Sequence, residues 1–315
     1  MMKYGFRNKR EELFPLMLVL EITNVCNYRC IHCPYPEISK HKDYKPKFMD
    51  WTVYQKIVDE TAGFKDTIFR FVCDGEPMMH PDFLRMVEYV KVKNISPVCV
   101  TTNGYFLSEY AAKKLIDCGC DIIEVSLDAL YRESYDRVRA GGDFDRVVAQ
   151  TKQLIKIRDT SAKDLKIMVS AIDQPLADGE LEAFKQYWQE KADKVIIRKF
   201  TSIGGLVDSN VENEQSSQDG KRWPCPLLWR RLFVNVDGYA EFCVDDWLDE
   251  SIIGDLRRDD ISSIWKSDFY QNLRNLHNSG CFEEVKKCAE CCDWTARTWD
   301  YDYFHAIKEI FTPSI

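Results

Sequence analysis

Cys26, Cys30 and Cys33 stand in the run Cys26-Asn-Tyr-Arg-Cys30-Ile-His-Cys33, directly after the apolar stretch Leu16–Ile22. Three thiolates on one short loop can hold three corners of a four-iron cluster and leave the fourth iron open to a small molecule. A site closed by four thiolates transfers electrons or braces the fold instead. Zinc is the alternative on spacing alone, although its sites usually pair thiols as C-x2-C and use four ligands. A second set lies far downstream. Cys225 and Cys243 have seventeen residues between them, and Cys288-Ala-Glu-Cys291 adds a C-x2-C pair. Four thiolates drawn from a hairpin and a later loop can close around a metal. From spacing, a zinc-ribbon-like structural site is one reading and an iron–sulfur site the other.

The elements that would carry these residues alternate. Strand-like runs fall at Leu16–Thr23, Thr67–Val72, Val98–Thr101, Ile122–Leu127, Leu165–Ala171 and Lys194–Phe200. Between them helices are expected at Thr52–Thr61 (capped by Asp50), Pro81–Lys93, Ser108–Asp117, Phe144–Arg158 and Ala177–Glu190. Six βα repeats predict a parallel sheet with right-handed crossovers, too few strands for an eight-stranded barrel. After Phe200 the pattern changes. Asp208–Lys221 is polar and reads as an exposed connection. Asp237-Gly238, set between two alternating apolar runs, predicts a hairpin. Helices are expected at Ile261–Lys266 and Phe269–His277, and a helical, aromatic tail from Trp294 to Phe311.

Composition narrows the class. The chain has 315 residues and 36.9 kDa, room for a barrel-sized domain and an extension. A net charge of −8 and a pI of about 5.3 argue against nucleic acid as partner. No apolar run reaches about 18 residues, so no membrane span is expected. The first ten residues lack a signal-peptide core. Thirteen cysteines with a cytoplasmic location point to metal or redox chemistry rather than a disulfide framework.

C-x3-C-x2-C after a first strand resembles the radical S-adenosylmethionine (radical SAM) enzymes. The resemblance implies a partial (β/α)6, TIM-like barrel in an α/β fold. It also implies an open-iron [4Fe-4S] cluster that binds S-adenosylmethionine, and reductive cleavage of that cofactor to a 5′-deoxyadenosyl radical. Further site residues follow from it. Gly75-Glu76-Pro77 would contact the methionine amino group, and Cys73 just before it is a candidate thiol hydrogen donor or a small buried hydrophobe. Asn103, in Thr101-Thr-Asn-Gly104, is a cofactor contact or simply part of a turn. Ser126 and Asp128 would meet ribose hydroxyls or the methionine carboxylate, or else mark a solvated strand end. His32 would stack near adenine, where the family usually has an aromatic. Arg198 would meet a substrate or cofactor carboxylate, with a surface salt bridge as the equal alternative.

The downstream cysteines, with Cys225-x12-Gly238-x4-Cys243, resemble the SPASM domain in its shorter twitch form, a small α+β unit with a hairpin. That resemblance implies one auxiliary [4Fe-4S] cluster held by Cys225, Cys243, Cys288 and Cys291, with Cys292 a rival for Cys291 and Cys281 a lesser alternative. The expected division is 1–205 for the core and 206–315 for the auxiliary-cluster domain. The expected activity is an oxidoreductase reaction. A sugar- or cyclitol-like secondary alcohol, free or carrier-bound, would lose hydrogen, with the auxiliary cluster as electron acceptor. A flavodoxin- or ferredoxin-like donor would supply the first electron. The alternatives are epimerisation through a cysteine hydrogen donor and peptide modification. Only 25 residues precede Cys26, which is short for a peptide-binding domain. A zinc-stabilised scaffold is the non-enzymatic reading, and the intact cysteine and Gly-Glu-Pro motifs argue against it. The remaining histidines, His277 among them, share no metal-binding spacing and read as ordinary surface or core residues.

Overall fold

The computed structural model describes residues 4–174, 179–207 and 221–311. Six parallel strands form its core: β1 (Met17–Leu20), β2 (Ile68–Phe71), β3 (Val98–Thr102), β4 (Ile122–Ser126), β5 (Lys166–Asp173) and β6 (Lys194–Lys199). They lie side by side in chain order, giving the α/β partial barrel. Each strand alternates its faces. Leu18, Phe69, Val100, Ile123 and Val169 point outward beneath the helices. Met17, Val19, Ile68, Cys99, Ile122 and Met168 point inward. Most are wholly buried, and each such aliphatic or aromatic side chain contributes about 1.5–3 kcal/mol.

The helices start where their caps do. The Asp50 carboxylate accepts from Thr52 and Val53 N–H, and the Ser108 hydroxyl from Ala111 N–H. The observed helices are Trp51–Thr61, Phe83–Val92, Glu109–Asp117, Phe144–Thr160 and Leu181–Gln189. The expected start of the last of these, Ala177, lies outside the described residues, as do residues 208–220 of the expected polar connection. The structure adds a helix at Arg132–Val138. Tyr131 precedes it and makes no side-chain capping bond, so no cap marks it in the sequence.

Beyond residue 221 the hairpin forms as expected, from β7 (Arg231–Val234) and β8 (Tyr239–Glu241). Its loop is longer than the two residues Asp237-Gly238. Asn235 Oδ1 accepts from both Asp237 and Tyr239 N–H, and Gly238 takes φ 85°. A further strand, β9 (Ile252–Asp255), pairs antiparallel with β8. β7 lies parallel to β1, so one nine-stranded sheet runs β6-β5-β4-β3-β2-β1-β7-β8-β9.

The tail departs from expectation. Only Asp293–Ala296, as a short 3-10 turn, and Tyr303–Phe311 are helical. Between them the backbone carbonyls are spent on side chains: Trp223 Nε1 donates to Arg297 O and Arg230 Nη2 to Trp299 O. Carbonyls engaged this way do not serve a helical ladder. The final helix sets Phe304 and Ile307 against the inward barrel residues. It thereby closes the barrel interior on one side. Among the described residues, no helix is long and apolar enough to cross a membrane.

Candidate active site

The loop after β1 is pinned from two sides. Arg29 N–H donates to Ala140 O (2.7 Å) and Ile31 N–H to Val138 O (3.1 Å), tying it to the end of the Arg132–Val138 helix. On the other side Glu76 N–H donates to Val25 O (2.9 Å). Gly75 is pressed so close that a Cβ there would stand 2.2 Å from Thr23 O and 2.7 Å from Val25 O.

On this loop the three thiols influence one another electrostatically, and each has one donor. Tyr28 N–H reaches Cys26 Sγ and Tyr35 N–H reaches Cys33 Sγ, both at 3.5 Å. Arg139 Nη1 stands 4.0 Å from Cys30 Sγ. Burial pushes the Cys26 thiol up to about 12 and raises Cys30 and Cys33 too. Metal binding here must therefore displace protons. Donors aimed at sulfur suit thiolates bound to iron. Among the described residues no three His, Cys, Asp or Glu side chains converge on a point as around a single bare ion. A four-iron cluster binds each thiolate at a different iron and spreads them wider.

One cavity of about 600 Å³ opens beside this loop. Its wall brings together Cys26, Cys30, Cys33, His32, Cys73, Gly75, Glu76, Asn103, Ser126, Asp128 and Arg198. Pro77 does not line it and starts the short turn Pro77–Met79 instead.

Several of these side chains are already engaged. Glu76 accepts from Thr102 Oγ1 and from Asn103 N–H, both at 2.7 Å, which locks the Gly-Glu-Pro turn to the end of β3. Asn103 Nδ2 donates to Asn27 Oδ1 at 2.8 Å. Asp128, at φ 63°, pairs with Arg139 (2.6 Å) and accepts Ile172 N–H (2.8 Å). His32 Nε2 lies 3.5 Å from Asp128, while its buried Nδ1 finds no partner among the described residues. Burial lowers the His32 pKa, so the ring favours its neutral form. Among the described residues, the Ser126 hydroxyl has one long contact, with the Ser170 hydroxyl (3.5 Å).

Cys73 takes φ 144°, in the region that favours glycine. Such conformations cost about 1–3 kcal/mol and concentrate at functional sites. Burial, with help from Asp74 and Glu21, holds its thiol well above the ordinary value. Arg198 forms an ion pair with Glu124, which also pairs with Arg70 (3.2 Å) and accepts from Tyr303 Oη (2.5 Å) and Thr101 Oγ1 (3.0 Å). Despite complete burial, the two guanidiniums hold the Glu124 carboxyl down at about 2.

The second cysteine set also gathers. The Cys225 charge acts on Cys243 and Cys288, and the Cys291 charge acts on Cys225 and Cys288. His277 bridges the set. Its Nε2 lies 3.3 Å from Cys288 Sγ, and its Nδ1 accepts Cys225 N–H at 3.2 Å. Cys292 is exposed and lies 3.5 Å from the Ser202 hydroxyl.

The structure adds His277, Arg139, Tyr303 and Asp302, which pairs with Arg230 and Arg231, to the residues the sequence singles out. None stands in a spaced motif. His277 is no ordinary core residue, since both its ring nitrogens meet the second cysteine set. The other three are brought in by the additional helix and by the tail.

Comparison with known proteins agrees with this arrangement. The pattern of the Radical SAM superfamily matches residues 20–167, and that of the SPASM iron–sulfur cluster-binding domain matches residues 225–292. A probable GTP 3′,8-cyclase of Methanocaldococcus jannaschii is 29% identical over 261 residues, 72% of this chain and 84% of that one. A Methanococcus maripaludis protein described in the same words is 32% identical over 148 residues, about half of either chain (46% and 47%). Among solved structures, BtrN in complex with AdoMet and 2-DOIA superposes with a TM-score of 0.61 at 19% identity, covering 90% of this chain and 97% of that one. SuiB of Streptococcus suis bound to precursor peptide SuiA gives 0.68 at 14%, covering 94% and 73%. The cofactors of this chain are a [4Fe-4S] cluster that binds S-adenosylmethionine, S-adenosylmethionine itself and an auxiliary [4Fe-4S] cluster. The chain belongs to the radical SAM superfamily, as an enzyme with a C-terminal SPASM iron–sulfur domain.

Proposed function

We propose that this enzyme removes hydrogen from a small polar substrate, and that the reaction is oxidation of a secondary alcohol on a sugar- or cyclitol-like molecule. One observation carries the reading. A single chamber reaches from Cys26, Cys30 and Cys33 to Val244 and Pro226, which directly follow Cys243 and Cys225 in the chain. A substrate lodged there stands between both sets of thiols. When bound, the cofactors would supply hydrogen abstraction at one end and a one-electron acceptor at the other, with a flavodoxin- or ferredoxin-like donor delivering the first electron.

The protein's own part is to position and to shield. Cys26, Cys30 and Cys33 would hold the first cluster. Cys225, Cys243, Cys288 and Cys291 would hold the second, with His277 orienting Cys288. His32, Gly75, Glu76, Pro77, Asn103, Ser126 and Asp128 would frame S-adenosylmethionine, and Arg198 would face the substrate. We assign residues 1–205 to the catalytic core and 206–315 to the auxiliary-cluster part; their strands share one sheet.

The test is anaerobic reconstitution with iron and sulfide counting, then 5′-deoxyadenosine and product analysis with C-deuterated alcohols. The expected result is about eight irons, falling to about four in a Cys26/Cys30/Cys33→Ala variant. Deuterium should move into 5′-deoxyadenosine and the alcohol should become a ketone. A variant that still forms 5′-deoxyadenosine would overturn the assignment. Epimerisation is the second reading, because Cys73 lines the chamber in a strained backbone conformation. It predicts an isomer of the substrate in which solvent hydrogen has replaced the abstracted deuterium, lost in Cys73→Ala.

A further inference from the structure

β2, β6 and β7 bring Arg70, Arg198 and Arg231 to the chamber wall, in excess of the carboxylates that pair with them. Arg70 and Arg198 share Glu124. Arg230 and Arg231 share Asp302, at 3.1 and 3.0 Å. Both carboxylates are saturated. Glu124 also accepts from Thr101 and Tyr303, and the second oxygen of Asp302 is taken by His305 Nδ1 (2.9 Å) and N–H (3.2 Å). Arg70, Arg198 and Arg231 line the chamber, while Arg230 shares Asp302 from outside its wall, so the guanidiniums outnumber the two carboxylates.

Among the other chamber carboxylates, Glu76 is held by Thr102 and Asn103, and burial raises its pKa, which disfavours its charged form. Asp128 is paired with Arg139 and Asp245 with both nitrogen–oxygen contacts of Arg297. Burial and the neighbouring Glu21 raise the Asp74 pKa, which disfavours its charged form. Arg231 is 6% exposed, lines the chamber, and its Nε has no acceptor among the described residues. Burial, together with the charges of Arg70 and Arg297, pulls the Arg231 guanidinium down to about 10, against the pull of Asp302. A buried cation in that position has only a shared counter-charge, since Asp302 also serves Arg230.

We propose that the chamber binds a substrate carrying a phosphate group, seated against Arg231, Arg70 and Arg198 beside the Tyr303 hydroxyl. A phosphate group supplies the negative charge this wall is short of, and guanidinium forks match its oxygens. The inference rests on the reading of a small polar substrate and narrows it to a phosphorylated one, such as a sugar phosphate or a nucleotide-linked sugar.

Binding tests this without turnover, so a failure to find the oxidised product would not touch it. Reconstituted, S-adenosylmethionine-loaded enzyme is titrated anaerobically with glucose, glucose 1-phosphate and inorganic pyrophosphate. Glucose 1-phosphate is expected to bind about tenfold or more tightly than glucose, pyrophosphate to compete with it, and the preference to shrink with added salt. Arg231→Met should abolish the preference and Arg231→Lys should retain part of it, with S-adenosylmethionine binding unchanged in both. If Arg231→Met does not fold, the wild-type preference and its salt dependence decide alone. Equal affinity for the two sugars, no binding of either, or a preference unchanged in folded Arg231→Met would overturn the proposal. Preference for pyrophosphate over glucose 1-phosphate would support the site with a nucleotide-linked sugar as its occupant.

Discussion

Gly75→Ala tests how the loop after β1 meets the Gly75-Glu76-Pro77 turn. Its Cβ would stand 2.2 Å from Thr23 O, where ordinary contact begins at 3.4 Å, so the loops must part by about 1.2 Å. Nothing flexible is available to yield, because Thr23 O, Val25 O and Val25 N all belong to backbone. Opening that gap also stretches the Glu76 N–H to Val25 O bond. Overpacking of this kind costs about 3 kcal/mol, equivalent to a fall of about 4–5 °C in melting temperature for a chain this long. Activity should suffer more than stability. The same displacement moves Cys26 relative to Gly75-Glu76-Pro77, and a misplacement of about 1 Å costs on the order of 100-fold in rate. Urea denaturation of the apoprotein measures the first effect, and 5′-deoxyadenosine formation by the reconstituted enzyme the second. Gly63→Ala is the control: its Cβ would meet nothing nearer than Glu60 O at 3.6 Å, so it should stay within about 0.5 kcal/mol of wild type. If Gly75→Ala matched Gly63→Ala in both assays, the loops would not be packed as described.

Glu124→Gln strips the shared partner from Arg70 and Arg198 in a fully buried site and should cost about 3–5 kcal/mol by urea denaturation; a loss below about 1 kcal/mol would contradict the pairing. Tyr303→Phe removes the hydroxyl that donates to Glu124 and should cost about 1–2 kcal/mol, read the same way. Glu21 sits among Asp237, Asp249, Asp74, Glu241 and Lys47, and burial raises its pKa from 4.5 to about 8. Its folded state binds the proton more tightly than the unfolded chain, so stability should fall as pH rises from about 4.5 through 8. Melting temperatures of the apoprotein at pH 6 and pH 9 should differ less in Glu21→Gln than in wild type; an equal or larger difference would refute that origin.

The legible parts of this chain are those with local signatures. The six strands of the partial barrel are readable because buried parallel strands are continuous apolar runs between turn signals. The helices that open on Asp50 and Ser108 are readable from their caps. The first cysteine run is readable because its spacing sits within one loop. What stays hidden depends on distant partners. The pairing of β7 with β1 has no local trace. The same holds for the tail between Arg297 and Asp302, whose carbonyls are claimed by Trp223 and Arg230 from elsewhere in the chain. Glu124 is visible only as part of a strand-end motif, since its role as anchor for two arginines and a tyrosine depends on three other elements. His277 gives no sign because its contacts, Cys225 and Cys288, are far from it in sequence.

The parallel pairing of Met17 with Arg231 has a consequence for how the protein is made and dissected. At a ribosomal pace of 5–20 residues per second, β1 waits roughly 10–40 s for β7 to be synthesised. Until then it presents an unpaired edge, and Met17 and Val19 lack the cover of Phe304 and Ile307. An uncovered apolar edge of this kind invites pairing with other chains. A chain shortened to end before residue 231 would keep that edge permanently. Deleting the C-terminal part would therefore open the parallel sheet as well as remove the proposed cluster ligands, and Cys→Ala changes at Cys225, Cys243, Cys288 and Cys291 separate the two effects where truncation cannot.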